Sequence, residues 1–79
     1  MTENVIVYSK ENCVQCTATM RTLTQRGIAF KHVDVEKDQE ALATLKELGY
    51  RQAPVVVAGT EHWSGYRPDM INKLKQSQS

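Results

Sequence analysis

The stretch Asn4-Val5-Ile6-Val7-Tyr8-Ser9-Lys10-Glu11-Asn12-Cys13-Val14-Gln15-Cys16 decides how the rest of the chain is read. Its first six residues are a β-branched run without polar alternation, the pattern of a strand buried on both faces. From Cys13 the spacing turns helical. Cys16, Met20 and Leu23 fall at i, i+4 and i+7, and Gly27 stands where a helix terminator is wanted. A strand therefore hands Cys13-Val14-Gln15-Cys16 directly to the start of a helix.

That placement makes the cysteine pair chemical. The first-turn N–H groups of a helix lack intrahelical partners, and the macrodipole adds partial positive charge there. A thiolate at Cys13 gains from both, so its pKa is expected to fall from about 8.5 toward neutrality. Lys10, three residues earlier, adds a nearby cation. Cys16, one turn into the helix on the apolar stripe, is expected to be buried and less acidic. The exposed thiolate then attacks a target disulfide, and the second thiol resolves the mixed disulfide. As a staple the pair would be weak, because closing a four-residue loop is worth only about 1.9 kcal/mol. Half of a zinc site, completed by His32 or His62, is the other alternative, but zinc wants four ligands and no second Cys-x-x-Cys occurs. His32 and His62 read as strand or surface histidines.

Working outward, 79 residues make one small domain, with 41% hydrophobic and 24% charged residues, a globular balance. A formal charge of +1 argues against nucleic acid as a partner. The longest apolar run, Ala53 to Ala58, is too short to span a membrane. Met1 to Asn4 has no basic start followed by a long apolar segment, so a cytoplasmic location is expected. No phosphate loop or His-Glu-x-x-His occurs.

Phe30 to Val35 predicts a second strand. Lys37 to Leu48 predicts a second helix with Ala41, Leu45 and Leu48 on one stripe, ended by Gly49. Pro54 to Ala58 predicts a third strand, and Gly59-Thr60 turns into a short fourth, Glu61 to Trp63. Pro68 opens a last helix carrying Ile71 and Leu74. The order β-α-β-α-β-β-α implies an α/β domain over residues 1–75, a mixed four-stranded sheet flanked by three helices, with a polar tail over 76–79. A cis bond at Ala53-Pro54 would expose the Ala53 backbone to an incoming peptide, whereas a trans proline would merely open the strand.

Cys13-Val14-Gln15-Cys16 in the redox-loop position and Ala53-Pro54 in the cis-proline position resemble the thioredoxin superfamily, in its glutaredoxin branch. Trp63-Ser64-Gly65-Tyr66-Arg67-Pro68-Asp69 is similar to the signature of the NrdH-redoxins, the glutaredoxin-like hydrogen donors of class Ib ribonucleotide reductase. The resemblance runs from Val5 to about Leu74 and implies a thioredoxin fold. It also implies an electron-transfer protein rather than a stand-alone enzyme. Cys13 is then the nucleophile, Cys16 the resolver and Lys10 the tuning cation. Val14, Gln15, Ala53, Pro54, Trp63, Ser64, Gly65, Tyr66 and Arg67 meet the partner, with Trp63 and Tyr66 as a docking surface. No cofactor or metal is implied within the chain. Electrons are expected from NADPH through a flavin-containing thioredoxin reductase, with the large subunit of class Ib ribonucleotide reductase as client and the chain a monomer. A glutathione-dependent glutaredoxin is the alternative in the same class. Val14-Gln15, Gln52-Ala53 and Ser64-Gly65-Tyr66-Arg67 replace the Pro-Tyr, Thr-Val and Gly-Gly of glutathione users. An alternative of another class is a module holding zinc or an iron–sulfur cluster through the two cysteines.

Overall fold

The computed structural model describes residues 5–77. Along strand β1 (Val5–Ser9) successive side chains enter two different cores, as the period of two in a strand requires. Val5 and Val7 pack with Leu23, Val56, Trp63 and Ile71 on one face, while Ile6 and Tyr8 pack with Ala41, Leu45 and Val55 on the other. Both faces are covered, which is why the strand carries no polar alternation. Helices α1 (Val14–Gln25) and α3 (Pro68–Ser77) cover the first face, and α2 (Gln39–Leu48) covers the second.

The sheet has the order β2-β1-β3-β4, with β2 at Lys31–Asp34, β3 at Val55–Ala58 and β4 at Glu61–Ser64. β1 pairs parallel with β2, and β3 pairs antiparallel with both β1 and β4. This is the expected β-α-β-α-β-β-α order and mixed four-stranded sheet, a thioredoxin fold.

Local chemistry sets the helix ends. At the end of α1, Ile28 N–H reaches the Leu23 carbonyl at 2.9 Å and Gly27 N–H the Thr24 carbonyl at 3.0 Å. Gly27 provides the left-handed residue (φ 73°) that this paired cap needs, and Ile28 returns to pack on Leu23. α2 begins at Gln39 rather than Lys37, because the Asp38 side chain accepts from Ala41 N–H at 3.1 Å and caps the helix there. Leu48 is 38% exposed and does not extend the Ala41/Leu45 stripe. The left-handed turn at Gly49 (φ 89°) sends Tyr50 back against the core in its place, with Tyr50 N–H on the Leu45 carbonyl.

Three other expectations change. Thr19, not Met20, shares the fully buried stripe of α1 with Cys16 and Leu23; Met20 is half-buried. Trp63 is 4% exposed and belongs to the core. β4 alternates, and the residue opposite Val56 must share its face, so the indole enters the layer between the sheet and α1 and α3. The docking surface expected of it is not exposed. Helix α3 continues through Ser77, so residues 76 and 77 of the expected tail are helical. The remaining two, and the expectations for Met1 to Asn4, lie outside the described residues.

Candidate active site: a disulfide at a helix start

β1 ends at Ser9, and a turn through Lys10, Glu11 and Asn12 carries the chain to the first turn of α1. Asn12 adopts φ 57°, a left-handed conformation that asparagine tolerates better than most residues. Glu11 N–H donates to the Glu36 carboxylate at 3.2 Å, which ties this turn to the segment after β2. Cys13 is then the N-cap of α1, in an extended conformation (φ −111°), and its Sγ accepts from Cys16 N–H at 3.1 Å. The Cys13 carbonyl accepts from Thr17 N–H at 3.1 Å.

Cys13 and Cys16 are joined as a disulfide, with their Cα atoms 5.2 Å apart. Cys16 is 1% exposed while Cys13 is half-buried, so only one sulfur faces an incoming partner. Val14 is 83% exposed beside it. No acidic residue occupies the first turn of α1 to oppose negative charge on the sulfur. Lys10 is exposed and lines the same depression as both cysteines, to which His32 and Asp34 also contribute.

The other arm of the site is built from β3, β4 and the turn into α3. The Ala53-Pro54 peptide is cis. One step beyond the pairing of Tyr8 with Val55, Pro54 falls opposite Ser9, at the end of β1 that launches the cysteine loop. The Pro54 carbonyl accepts from Gly65 N–H at 2.8 Å. Tyr66 N–H donates to the Gln15 amide oxygen at 3.3 Å, and the Tyr66 hydroxyl meets Thr22 Oγ1 at 3.1 Å. Gln15, the residue next to Cys16, thus clamps the 64–67 turn onto α1. Gly65 has φ 83° and sits against that amide, so a side chain there would be strained.

Arg67 pairs with Asp69 at the start of α3. Its Nε and Nη2 donate to the two carboxylate oxygens of Asp69 at 3.2 and 3.0 Å. The hydrogen bond holds the Asp69 carboxyl below the usual carboxylate range and raises the guanidinium. The Arg67 carbonyl meanwhile accepts from Met70 and Ile71 N–H at the opening of α3.

The structure therefore gathers Lys10, Cys13, Val14, Gln15, Cys16, Pro54, Gly65 and Tyr66 around one helix start, with Ala53 adjoining. Trp63 lies in the core, and Ser64 ends β4 opposite Val55. Thr22 was missed, since only the return of the Tyr66 turn gives its hydroxyl a purpose. His32 contacts Ser9 from β2, and His62 contacts Tyr50 from β4 at 2.6 Å. These two strands are opposite edges of the sheet, so the two histidines do not share a site.

Comparison with known proteins agrees with this geometry. Residues 5–63 match the glutaredoxin family. The chain is 49% identical over 71 residues to the glutaredoxin-like protein NrdH of Salmonella typhimurium, covering 90% of this chain and 88% of that one. It is 37% identical over 70 residues to the NrdH protein of Lactococcus lactis subsp. cremoris, covering 89% and 97%. The solved structure of Escherichia coli NrdH-redoxin, a glutaredoxin-like protein with a thioredoxin-like activity profile, superposes with a TM-score of 0.87. That match is at 46% identity over 90% of this chain and 93% of that one.

Proposed function

The chain belongs to the glutaredoxin family, among its NrdH glutaredoxin-like redox proteins, and from that premise we propose that it carries electrons to class Ib ribonucleotide reductase. The observation that carries the reading is the Cys13–Cys16 disulfide at the start of α1, with one sulfur accessible and one buried. In the reduced form the Cys13 thiolate attacks one sulfur of the client disulfide. A mixed disulfide forms, and the other client sulfur leaves as a thiolate that takes up a proton. Cys16 then loses its proton and attacks Cys13 Sγ, which releases the second client thiol. Two electrons and two protons pass to the client, and the Cys13–Cys16 disulfide remains.

The client's identity rests on the likeness of Trp63 to Asp69 to the NrdH-redoxin signature. The large subunit of class Ib ribonucleotide reductase is the proposed client. Recharging is assigned to a flavin-containing thioredoxin reductase drawing on NADPH, with no cofactor held by this chain. The thioredoxin-like profile of the Escherichia coli relative supports that choice. So does Arg67, whose guanidinium is paired with Asp69 and is thereby less free to clamp a glutathione carboxylate. The exposed apolar Val14 and the Tyr66 face suit a protein partner. Ala53 and Pro54 are positioned to receive the partner's backbone. A cytoplasmic monomer is the form proposed; among the described residues no helix is long and apolar enough to cross a membrane.

The test is deoxyribonucleotide synthesis by class Ib ribonucleotide reductase with the reduced chain as its only reductant. Turnover stoichiometric with the dithiol supplied supports the reading. A reductase that stays inactive with the reduced chain, yet turns over with dithiothreitol, refutes it.

A further inference from the structure

Cys16 is 1% exposed, and it must surrender a proton before it can attack Cys13. Burial disfavours the thiolate, so that proton needs an acceptor close at hand. The sheet brings one. Ser9 follows Val5 and Val7 at the period of two, so it shares their face, the one that α1 covers. Val7 and His32 are partners in the parallel pairing of β1 with β2, which puts His32 on that face as well. The Ser9 hydroxyl and His32 Nε2 are hydrogen-bonded. Ser9 is 3% exposed and His32 is exposed, so the pair runs from the interior to solvent. Ser9, His32, Cys13 and Cys16 line one depression.

The other charged groups in that depression are Lys10, Glu11 and Asp34. A lysine ammonium has no lone pair to accept with. Asp34 Oδ1 accepts from Glu36 N–H at 2.9 Å, which commits it to the turn after β2. Carboxylates are also weak bases toward a thiol, with free pKa values of about 4 against about 8.5. Imidazole as a class is better matched, because it changes charge between about pH 5 and 8.

We propose that His32 takes the Cys16 proton, through the Ser9 hydroxyl, while Cys16 resolves the mixed disulfide. The inference rests on Cys13–Cys16 being a disulfide-reducing dithiol. The Cys16 S–H proton passes to Ser9 Oγ as the Ser9 O–H proton passes to His32 Nε2. The Cys16 electron pair forms the bond to Cys13 Sγ. The bond from Cys13 to the client sulfur breaks, and its pair leaves on the client. The imidazolium then returns its proton to solvent, and the client thiolate takes one from solvent. The first attack does not use His32, because the helix start already favours the Cys13 thiolate.

The test mixes the reduced chain with dithiobis(nitrobenzoic acid) in a stopped-flow instrument. Its coloured thiolate leaves once when Cys13 attacks and again when Cys16 resolves. His32→Gln keeps a hydrogen-bonding partner for Ser9 but cannot take the proton. It should slow the second release about tenfold at neutral pH and leave the first within about twofold. Ser9→Ala should slow the same release, and added imidazole should restore it in His32→Gln. In the wild type the second release should rise between about pH 5 and 8 and level off, while in His32→Gln it should keep rising with hydroxide. Equal slowing of both releases would mark a structural role and overturn the proposal. So would an unchanged second release in His32→Gln, or a wild-type rate in Ser9→Ala. Should the variants fail to fold, the wild-type profile decides: a second release that follows hydroxide throughout overturns the proposal. Two releases without dependence on His32 leave the dithiol reading standing and remove only the relay. A wild type that releases just the first thiolate removes both.

Discussion

The Cys16 N–H that reaches Cys13 Sγ at 3.1 Å makes the two cysteines unequal. The bond and the helix start favour negative charge on the outer sulfur, while burial at 1% exposure disfavours it on Cys16. Cys16→Ser should therefore trap a stable mixed disulfide on Cys13, and peptide mapping checks it. A trapped partner on Cys16 of a Cys13→Ser variant, with none on Cys13 of the other, would reverse the roles. Lys10 is exposed, so its help is screened and the helix start persists without it. Lys10→Ala should raise the Cys13 pKa modestly and keep most activity toward small uncharged disulfides. A thiol titration with no change, or complete loss of turnover, contradicts that account. This inequality was legible in the sequence because it depends on position within one helical turn. The clamp from Gln15 to the Tyr66 backbone was not, since 51 residues separate its ends.

At the scale of elements, the turn between β4 and α3 is held at four points: Gly65 on Pro54, Tyr66 on Gln15 and on Thr22, and Arg67 on Asp69. Gln15→Ala removes one solvent-exposed hydrogen bond, worth about 0.5–1.5 kcal/mol at most. The expected result is faster hydrogen exchange at the Tyr66 amide with little change in global stability; unchanged exchange would mean the clamp is idle. The Asp69 carboxyl lies below its ordinary range because Arg67 hydrogen-bonds its charged form. A depressed folded pKa stabilises the protein above the unfolded value of about 3.9, and the benefit is lost as pH falls through the folded value. The pair is fully solvated, so the effect is small. Wild type should melt slightly above Asp69→Asn at neutral pH, and the gap should close in acid. A gap that widens in acid contradicts the assignment. The variant also frees Arg67, and its rate with glutathione disulfide should rise. Helix ends at Gly27 and Gly49 were readable from the chain because caps are local. The start of α2 was displaced by the Asp38 cap, a competing local signal that the apolar spacing hides.

Across the whole molecule, the mixed sheet with its parallel pair followed from the alternation of elements, but the face taken by a given side chain did not. Moving a strand's register by one residue exchanges its faces, and Trp63 turned inward for that reason. Trp63→Ala should then cost about 3–5 kcal/mol, a large share of a small domain's stability, and chemical denaturation will show it. An unchanged midpoint would restore the indole to the surface. The meeting of Lys10 with Lys46 and Arg51 around one depression was equally hidden, because Lys10 is 36 residues from Lys46 in the chain. The proposed function has a protein partner recharge the oxidised chain. The direct measurement is NADPH oxidation coupled to this chain at one concentration, once with thioredoxin reductase and once with glutathione and its reductase. Fast turnover with thioredoxin reductase and little with glutathione is the expected result. Comparable or faster turnover with glutathione would contradict it.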